Sequence, residues 1–162
     1  MLETKRLKLR NFKDTDIYEL FDYRNNQLCA KYQRYDDKSE KALSEFIKRN
    51  KDQHFLSETE QHYAITLKTG ELIGDVAIYF KKETITLGYT ISYKHHRKGY
   101  AFEILSALVK SLHCKYLEYE IVCLVDEGNI PSMKFLEKLF FINEVYEEKV
   151  NSYIFILYAI LK

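Results

Sequence analysis

A chain of 162 residues holds one domain with a full core and is too short for two ordinary ones, so residues 1–162 are expected to form a single domain. The composition, 46% hydrophobic and 30% charged with one Pro and five Gly, excludes collagen, long linkers and low-complexity disorder. Lys and Arg total 25 against 24 Asp and Glu, and the resulting net charge of +1 argues against nucleic-acid or membrane binding through bulk charge.

The first expected element is a short half-buried strand, in which Leu7, Leu9 and Phe12 alternate with Lys8 and Arg10. Asp14-Thr15-Asp16 is a helix N-cap signal, followed by Ile17, Leu20, Phe21 and Arg24 at helical spacing. Residues 25 to 38 have no clear period and are expected to be a loop or irregular helix. A second helix opens at Asp37 or Ser39, with Ala42, Leu43, Phe46 and Ile47 as its inner stripe. From His62 the period changes to two. Tyr63, Ile65 and Leu67 define one strand, and Leu72 to Phe80 and Thr84 to Ser92 define the next two. Thr69-Gly70-Glu71 and Lys81-Lys82-Glu83 are the turns of this antiparallel meander.

Residues 100 to 113 form the cleanest helix, with Ala101, Ile104, Leu105, Leu108, Val109 and Leu112 on one face. Glu118 to Val125 reads as a strand. Its run Ile121-Val122-Cys123-Leu124-Val125 is continuously apolar, as in a strand covered on both faces. Asp126 to Asn129 breaks it, and Ile130 to Leu139 is a helix with Pro131 in its first turn. Strands of about Phe141 to Tyr146 and Tyr153 to Leu161 close the chain. The order β-α-α-β-β-β-α-β-α-β-β, a meander running into a β-α-β-α unit, predicts a mixed α/β (α+β) fold with about four helices. The central twisted sheet is expected to be mixed and mostly antiparallel.

Cys29, Cys114 and Cys123 are odd in number and form no CxxC pair, so neither a disulfide framework nor a thiolate zinc site is expected. The five histidines show no metal-ligand spacing, so no metal is expected. Met1 to Arg6 carries charges where a signal peptide needs an apolar run, and the longest apolar stretch, Tyr153 to Leu161, is only of strand length. A cytoplasmic protein with no membrane partner is expected.

Ligands of open α/β sheets favour the carboxyl ends of parallel strands beside helix N-termini. That singles out two junctions. The first, Tyr93 to Glu103, is a basic run, His95-His96-Arg97-Lys98, that enters a helix through Gly99 and Ala101. Unpaired N–H groups, small residues and flanking cations suit a phosphate or pyrophosphate, although a basic turn with an ordinary loop glycine has the same composition. The run is neither a Walker loop nor a dinucleotide fingerprint. At the second junction Asn129 stands as an N-cap, with Ser132 in the first turn of the helix.

His96-Arg97-Lys98-Gly99-Tyr100-Ala101 resembles the Q/R-x-x-G-x-G/A acetyl-CoA loop of the GNAT superfamily of N-acetyltransferases. Asn129-Ile-Pro-Ser132 followed by Glu137-Lys138-Leu139-Phe140-Phe141 resembles that family's N-x-x-S and E-K-L-G-F segment. The opening Glu3 to Arg10, Leu72-Ile73-Gly74 and Leu87-Gly88-Tyr89 are similar to the branch of the ribosomal-protein N-terminal acetyltransferases (RimJ/RimL type). The resemblance runs through nearly the whole chain in the family's order. It implies a GNAT-like acyl-CoA N-acyltransferase fold and direct transfer from acetyl-CoA to a primary amine, at a protein N-terminus or on a small molecule. It further implies that the strand around Tyr89 and Ile91 pairs with the pantetheine arm between splayed strands. The N–H groups of Arg97, Lys98, Gly99, Tyr100, Ala101 and Phe102 would hold the pyrophosphate, Asn129 would contact the CoA arm, and Ser132 would protonate the departing thiolate.

Four positions depart from the pattern. His96 stands where Gln or Arg is usual, and Phe140 replaces a Gly. Leu136 stands where many relatives carry a tyrosine acid, and Leu124 where some carry a glutamate base. Ser132 is left as the candidate acid, and no base is identified, with Glu147 and Glu148 as remote candidates. The acceptor is expected between the first helices and the last hairpin, near Tyr32, Arg34, Tyr35, Asp36 and Tyr153, residues that equally suit a surface loop and a sheet. A homodimer covering the last strands is expected as well, because they leave an edge to protect. A non-catalytic acyl-CoA sensor or scaffold of the same fold, and a ribosome- or RNA-associated module using His95 to Lys98, remain as alternatives.

Overall fold

The computed structural model describes residues 1–159. Strands β1 (Leu2–Glu3) and β2 (Leu7–Arg10) lead to helices α1 (Ile17–Asn25), α2 (Gln27–Ala30) and α3 (Glu40–Arg49). The meander follows as β3 (Gln61–Leu67), β4 (Leu72–Lys81) and β5 (Thr84–Ile91). Helix α4 (Tyr100–Lys115), β6 (Glu120–Asp126), α5 (Ile130–Lys138), β7 (Ile142–Glu147) and β8 (Ser152–Leu157) complete the described chain.

All eight strands join one mixed sheet in the order β1-β2-β3-β4-β5-β6-β8-β7. Every pairing is antiparallel except β5 with β6, where α4 makes the crossover that parallel strands require. Alternation divides each strand between two faces. One face carries Val76, Ile78, Ile85, Leu87, Ile121 and Cys123 into the main core, which α4 completes with Ile104, Leu105, Leu108 and Leu112 and α5 with Leu136. On the other face a smaller core holds Leu20 and Tyr23 of α1, Leu43 and Ile47 of α3, and Phe12.

Local signals hold where local chemistry decides. Ser39 caps α3 by accepting from the Ala42 N–H at 3.2 Å. Pro131 lies in the first turn of α5, and the helix expected over 100 to 113 extends to Lys115. Asp16, by contrast, does not cap α1. A 3-10 turn (Asp14–Asp16) precedes that helix, and Arg10 grips the Asp16 carboxylate with two bonds of 2.8 Å. The irregular stretch contains the one-turn helix α2, and Phe12 lies beyond the end of β2 in the smaller core.

The expectation that 121 to 125 is covered on both faces is overturned. Ile121, Cys123 and Val125 are buried, Val122 is half-buried and Leu124 is 43% exposed, because no helix lies over that side of β6. The last strand ends at Leu157; Ile160 and Leu161 of the expected Tyr153–Leu161 strand lie outside the described residues. Strand β1 carries no periodic signal of its own and exists only through pairing of Leu2 with Leu9 and Glu3 with Lys8. No helix among the described residues is long and apolar enough to cross a membrane.

Candidate active site

Strands β5 and β6 pair at only three positions, Thr84–Glu120, Ile85–Ile121 and Thr86–Val122. Beyond Thr86 both strands continue, β5 to Ile91 and β6 to Asp126, without pairing to each other. The sheet therefore opens into a slot at the carboxyl ends of its parallel strands. Backbone carbonyls that would have faced β6 find other donors there: Gln33 Nε2 donates to the Tyr89 carbonyl at 3.1 Å, and His96 Nε2 donates to the Ile91 carbonyl at 2.8 Å. The Cys29 thiol lies 3.5 Å from the Ile91 carbonyl and accepts from the Tyr93 N–H at 3.1 Å. Burial pushes that thiol's pKa up, so it stays protonated and can donate.

On the α4–α5 face two helices begin at the mouth of the slot. Gly99 is the N-cap of α4 with φ +75°, and Arg97 before it has φ +59°. A left-handed N-cap suits glycine, and no side chain caps this helix. The first-turn N–H groups of Tyr100, Ala101 and Phe102 therefore point out of the helix end, where its dipole is positive. His96, Arg97 and Lys98 stand exposed beside them. The loop is braced from the N-terminal segment: Arg6 donates to the Lys98 carbonyl at 2.9 Å and to Glu103 Oε2 at 2.6 Å, and its guanidinium lies 4.6 Å from the Tyr100 ring centroid. Burial works against the Glu103 carboxylate, but hydrogen bonds from Thr4 and Arg6 outweigh it and hold its pKa below the ordinary value.

At the second helix Asn129 Oδ1 caps α5 by accepting from the Ser132 N–H at 3.4 Å. Ser132 Oγ lies 2.6 Å from the Tyr89 hydroxyl. The Tyr89 ring packs on Phe135, centroids 5.4 Å apart, and burial raises the phenol's pKa well above its ordinary value. Leu136, only 1% exposed, lies in the core and offers the slot no polar group.

On the opposite face a cleft of about 1280 Å³ runs over β3, β4 and β5 between α1, α3 and the loop after α2. Tyr32, Arg34, Tyr35 and Asp36 all line it, and Tyr153 does not. Three of these are also tethers. Tyr32 donates to the Gly128 carbonyl at 2.9 Å, Arg34 binds Ser152 Oγ at 2.8 Å and the Val150 carbonyl, and the Tyr35 hydroxyl meets Thr90 Oγ1 at 2.8 Å. Glu147 caps the turn before β8 by accepting from the Lys149 N–H at 3.1 Å, and Glu148 is solvated in that turn. In the floor, Arg24 and Asp75 form a buried ion pair at 3.3 Å, and Tyr23 donates to the same carboxylate. Burial opposes the charge on Arg24, yet Asp75 outweighs it and keeps the guanidinium protonated.

Sequence reasoning found Gly99, Asn129 and Ser132 from local signals but missed Arg6, Cys29, Gln33, Arg24 and Asp75. The parity of β5 puts Tyr89 on the α5 side, yet no sequence signal names Ser132 as its partner. Among the described residues no group of three or more His, Cys, Asp or Glu is placed to hold a metal.

Residues 6–142 match the acetyltransferase (GNAT) domain family. The uncharacterized N-acetyltransferase YnaD of Bacillus subtilis (strain 168) is 24% identical over 141 residues, which cover 85% of this chain and 80% of that protein. Among solved structures, a GNAT-family acetyltransferase from Bacillus anthracis superposes with a TM-score of 0.79 at 22% identity, covering 97% of each chain. The ribosomal-protein-S5-alanine acetyltransferase from Vibrio fischeri gives a TM-score of 0.73 at 14% identity, over 97% of this chain and 95% of that one. The fold, the slot and the match over most of its length together make this chain an acyltransferase that belongs to the GNAT acetyltransferase family.

Proposed function

We propose that the protein transfers the acetyl group of acetyl-CoA to a cationic primary amine, with CoA on the α4–α5 face and the amine on the α1–α3 face. The observation that carries this reading is the slot between β5 and β6, which joins the two faces. The pyrophosphate fits the uncapped N-terminus of α4, where backbone donors lie beside the exposed Arg97 and Lys98. The pantetheine arm fits the open edge of β5 near Tyr89 and Ile91, taking the strand N–H bonds that β6 leaves unmade. The acceptor cleft carries six carboxylates against three guanidiniums, a balance suited to an amine that arrives protonated.

The chain's residues then divide the work. Slot geometry aligns the amine with the thioester, a positioning effect worth several orders of magnitude in rate. An N–H of the β5 edge facing the thioester oxygen stabilises the charge that develops there. Ser132, in the first turn of α5, supplies a proton to the departing sulfur. Asn129 shapes that turn and offers its amide N–H₂ to the CoA arm.

The experiment is a thermal-shift titration with acetyl-CoA, followed by thiol-release assays with spermidine and with an alanine-initiated peptide. A rise in Tm with acetyl-CoA and amine-dependent thiol release are expected. Absence of any shift would remove the CoA site. A shift without thiol release for either amine would leave a CoA binder whose acceptor is not a simple cationic amine.

A further inference from the structure

We propose that Tyr89 is a positioning residue for this acyl transfer, its hydroxyl donating to Ser132 Oγ so that the serine's own proton is free to meet the CoA sulfur. The inference rests on the proposed CoA site and on Ser132 as the proton donor.

The argument starts from the 2.6 Å contact between the two hydroxyls, which holds one hydrogen bond and so one donor. A phenol is the more acidic of the two hydroxyls and the stronger donor, and an aliphatic hydroxyl oxygen is the better acceptor. Tyr89 is fixed by its strand and by the Phe135 ring, and burial keeps its proton in place across the physiological range.

Ser132 has few internal alternatives. A serine in a helix commonly turns its proton back onto the carbonyl three or four residues earlier. Here the Gly128 carbonyl already accepts from Tyr32 Oη at 2.9 Å and from the Ile130 N–H at 3.1 Å, which fills both its lone pairs, and the Asn129 carbonyl accepts from the Met133 N–H at 3.2 Å and makes no bond to Ser132 Oγ. Tyr89 is the one hydrogen-bond partner of Ser132 Oγ among the described residues. With Tyr89 as donor, the serine proton has no acceptor among the described residues and is available to a ligand.

The residue that relatives use as an acid is absent, since Leu136 is sealed in the core. The site thus draws its hydroxyl chemistry from a strand and a helix together. In the transfer, the amine nitrogen bonds to the acetyl carbon as the carbon–sulfur bond breaks. A protonated acceptor first gives one proton to water to become the free amine that attacks; the nitrogen then releases a second proton to water, the sulfur takes the Ser132 Oγ proton, and Ser132 recovers one from water. Tyr89 neither gains nor loses a proton.

The test is the ionisation of bound CoA, which needs no acceptor. CoA is titrated with pH on the wild type, Tyr89→Phe, Ser132→Ala and the double variant. The thiolate is read by its ultraviolet absorbance against the same protein holding desulfo-CoA, which subtracts the tyrosines. The bound thiol is expected to ionise about one pH unit lower on the wild type than on Ser132→Ala, a tenfold effect on the thiolate equilibrium. Tyr89→Phe should reproduce at least half of that shift, and the double variant should not exceed Ser132→Ala. With an amine that is turned over, Tyr89→Phe should lower kcat by about tenfold and leave KM for acetyl-CoA unchanged, which lost packing alone would not do. Ionisation in Tyr89→Phe identical to wild type, or additive effects in the double variant, would overturn the inference while the CoA site stands. Failure of the wild type to bind CoA would overturn the site itself and this inference with it.

Discussion

A methyl group at position 74 would lie 2.2 Å from the Thr90 carbonyl oxygen and 3.1 Å from the Ile91 Cα. Both are backbone atoms of the strand that borders the slot, so nothing flexible can yield. Gly74→Ala is expected to destabilise the fold by about 3 kcal/mol, read as a lower denaturant midpoint with an unchanged slope. Gly99 is a different case. Its Cβ would meet only Arg6 Nη2 at 3.5 Å, an ordinary contact, but φ is +75°. Gly99→Ala should therefore cost only about 1 kcal/mol of backbone strain. Gly99→Glu should leave the fold standing and abolish the thermal shift with acetyl-CoA, because it sets a carboxylate where the proposed pyrophosphate would dock. His113 gives a pH dependence. It is 8% exposed with Nε2 unpartnered, and burial lowers its pKa. The folded chain keeps it neutral, so the unfolded chain binds the extra proton once the pH drops below about 6.5, and stability is lost from there downward. Urea melts at about pH 7.5 and about pH 5.5 should show a smaller loss for His113→Gln than for the wild type.

Individual elements differ in how much of them the sequence reveals, and the difference is one of contact range. Helix α4 was legible because its apolar face repeats along one segment, and Ser39 and Asn129 because a cap acts within three residues. The unpaired stretch of β5 and β6 was not, since pairing is decided by strands about 35 residues apart whose local pattern is the same either way. Leu124 shows the limit of pattern: an apolar run of five reads as covered on both faces, yet among the described residues no helix covers the face that carries Leu124. The brace on the loop before α4 was equally invisible, because Arg6 meets Lys98 and Glu103 across more than 90 residues. Removing it tests the loop as an element. Arg6→Ala should change stability by less than about 1 kcal/mol, as exposed ion pairs do, and should weaken acetyl-CoA binding by about tenfold through a looser helix N-terminus. Isothermal titration beside a melting curve separates the two effects, and equal loss in both would make Arg6 a plain stabiliser.

For the molecule as a whole, the uncovered half of the sheet is the feature with consequences beyond the site. Register puts Val122 beside Ile156, Leu124 beside Ile154, Ile142 beside Ile156 and Val145 beside Ile154, so six aliphatic side chains share one face with no helix over them. Ile142 is 52% exposed and Val145 54% exposed. With a net charge of +1 there is little long-range repulsion between copies, and an apolar face of this kind suits burial in a two-fold dimer. Sedimentation is expected to find a dimer at micromolar concentration and a monomer for Val145→Lys, with the melting temperature of the dilute protein unchanged. A monomer at high micromolar concentration would count against this association.

The three-residue pairing of β5 with β6 also makes the protein mechanically incomplete. Strands β1 to β5 and strands β6 to β8 are joined along a short seam, by the α4 crossover and by the tethers of Tyr32 and Arg34. On the proposed placement, a cosubstrate in the open length of that seam would act as the missing strand of the sheet. Rigidity between the two parts of the sheet and affinity for that ligand are then one quantity seen from two sides. A substitution that zips the seam further would stiffen the empty protein and exclude the cosubstrate, so the weakness in the middle of the sheet is what gives the molecule room to work.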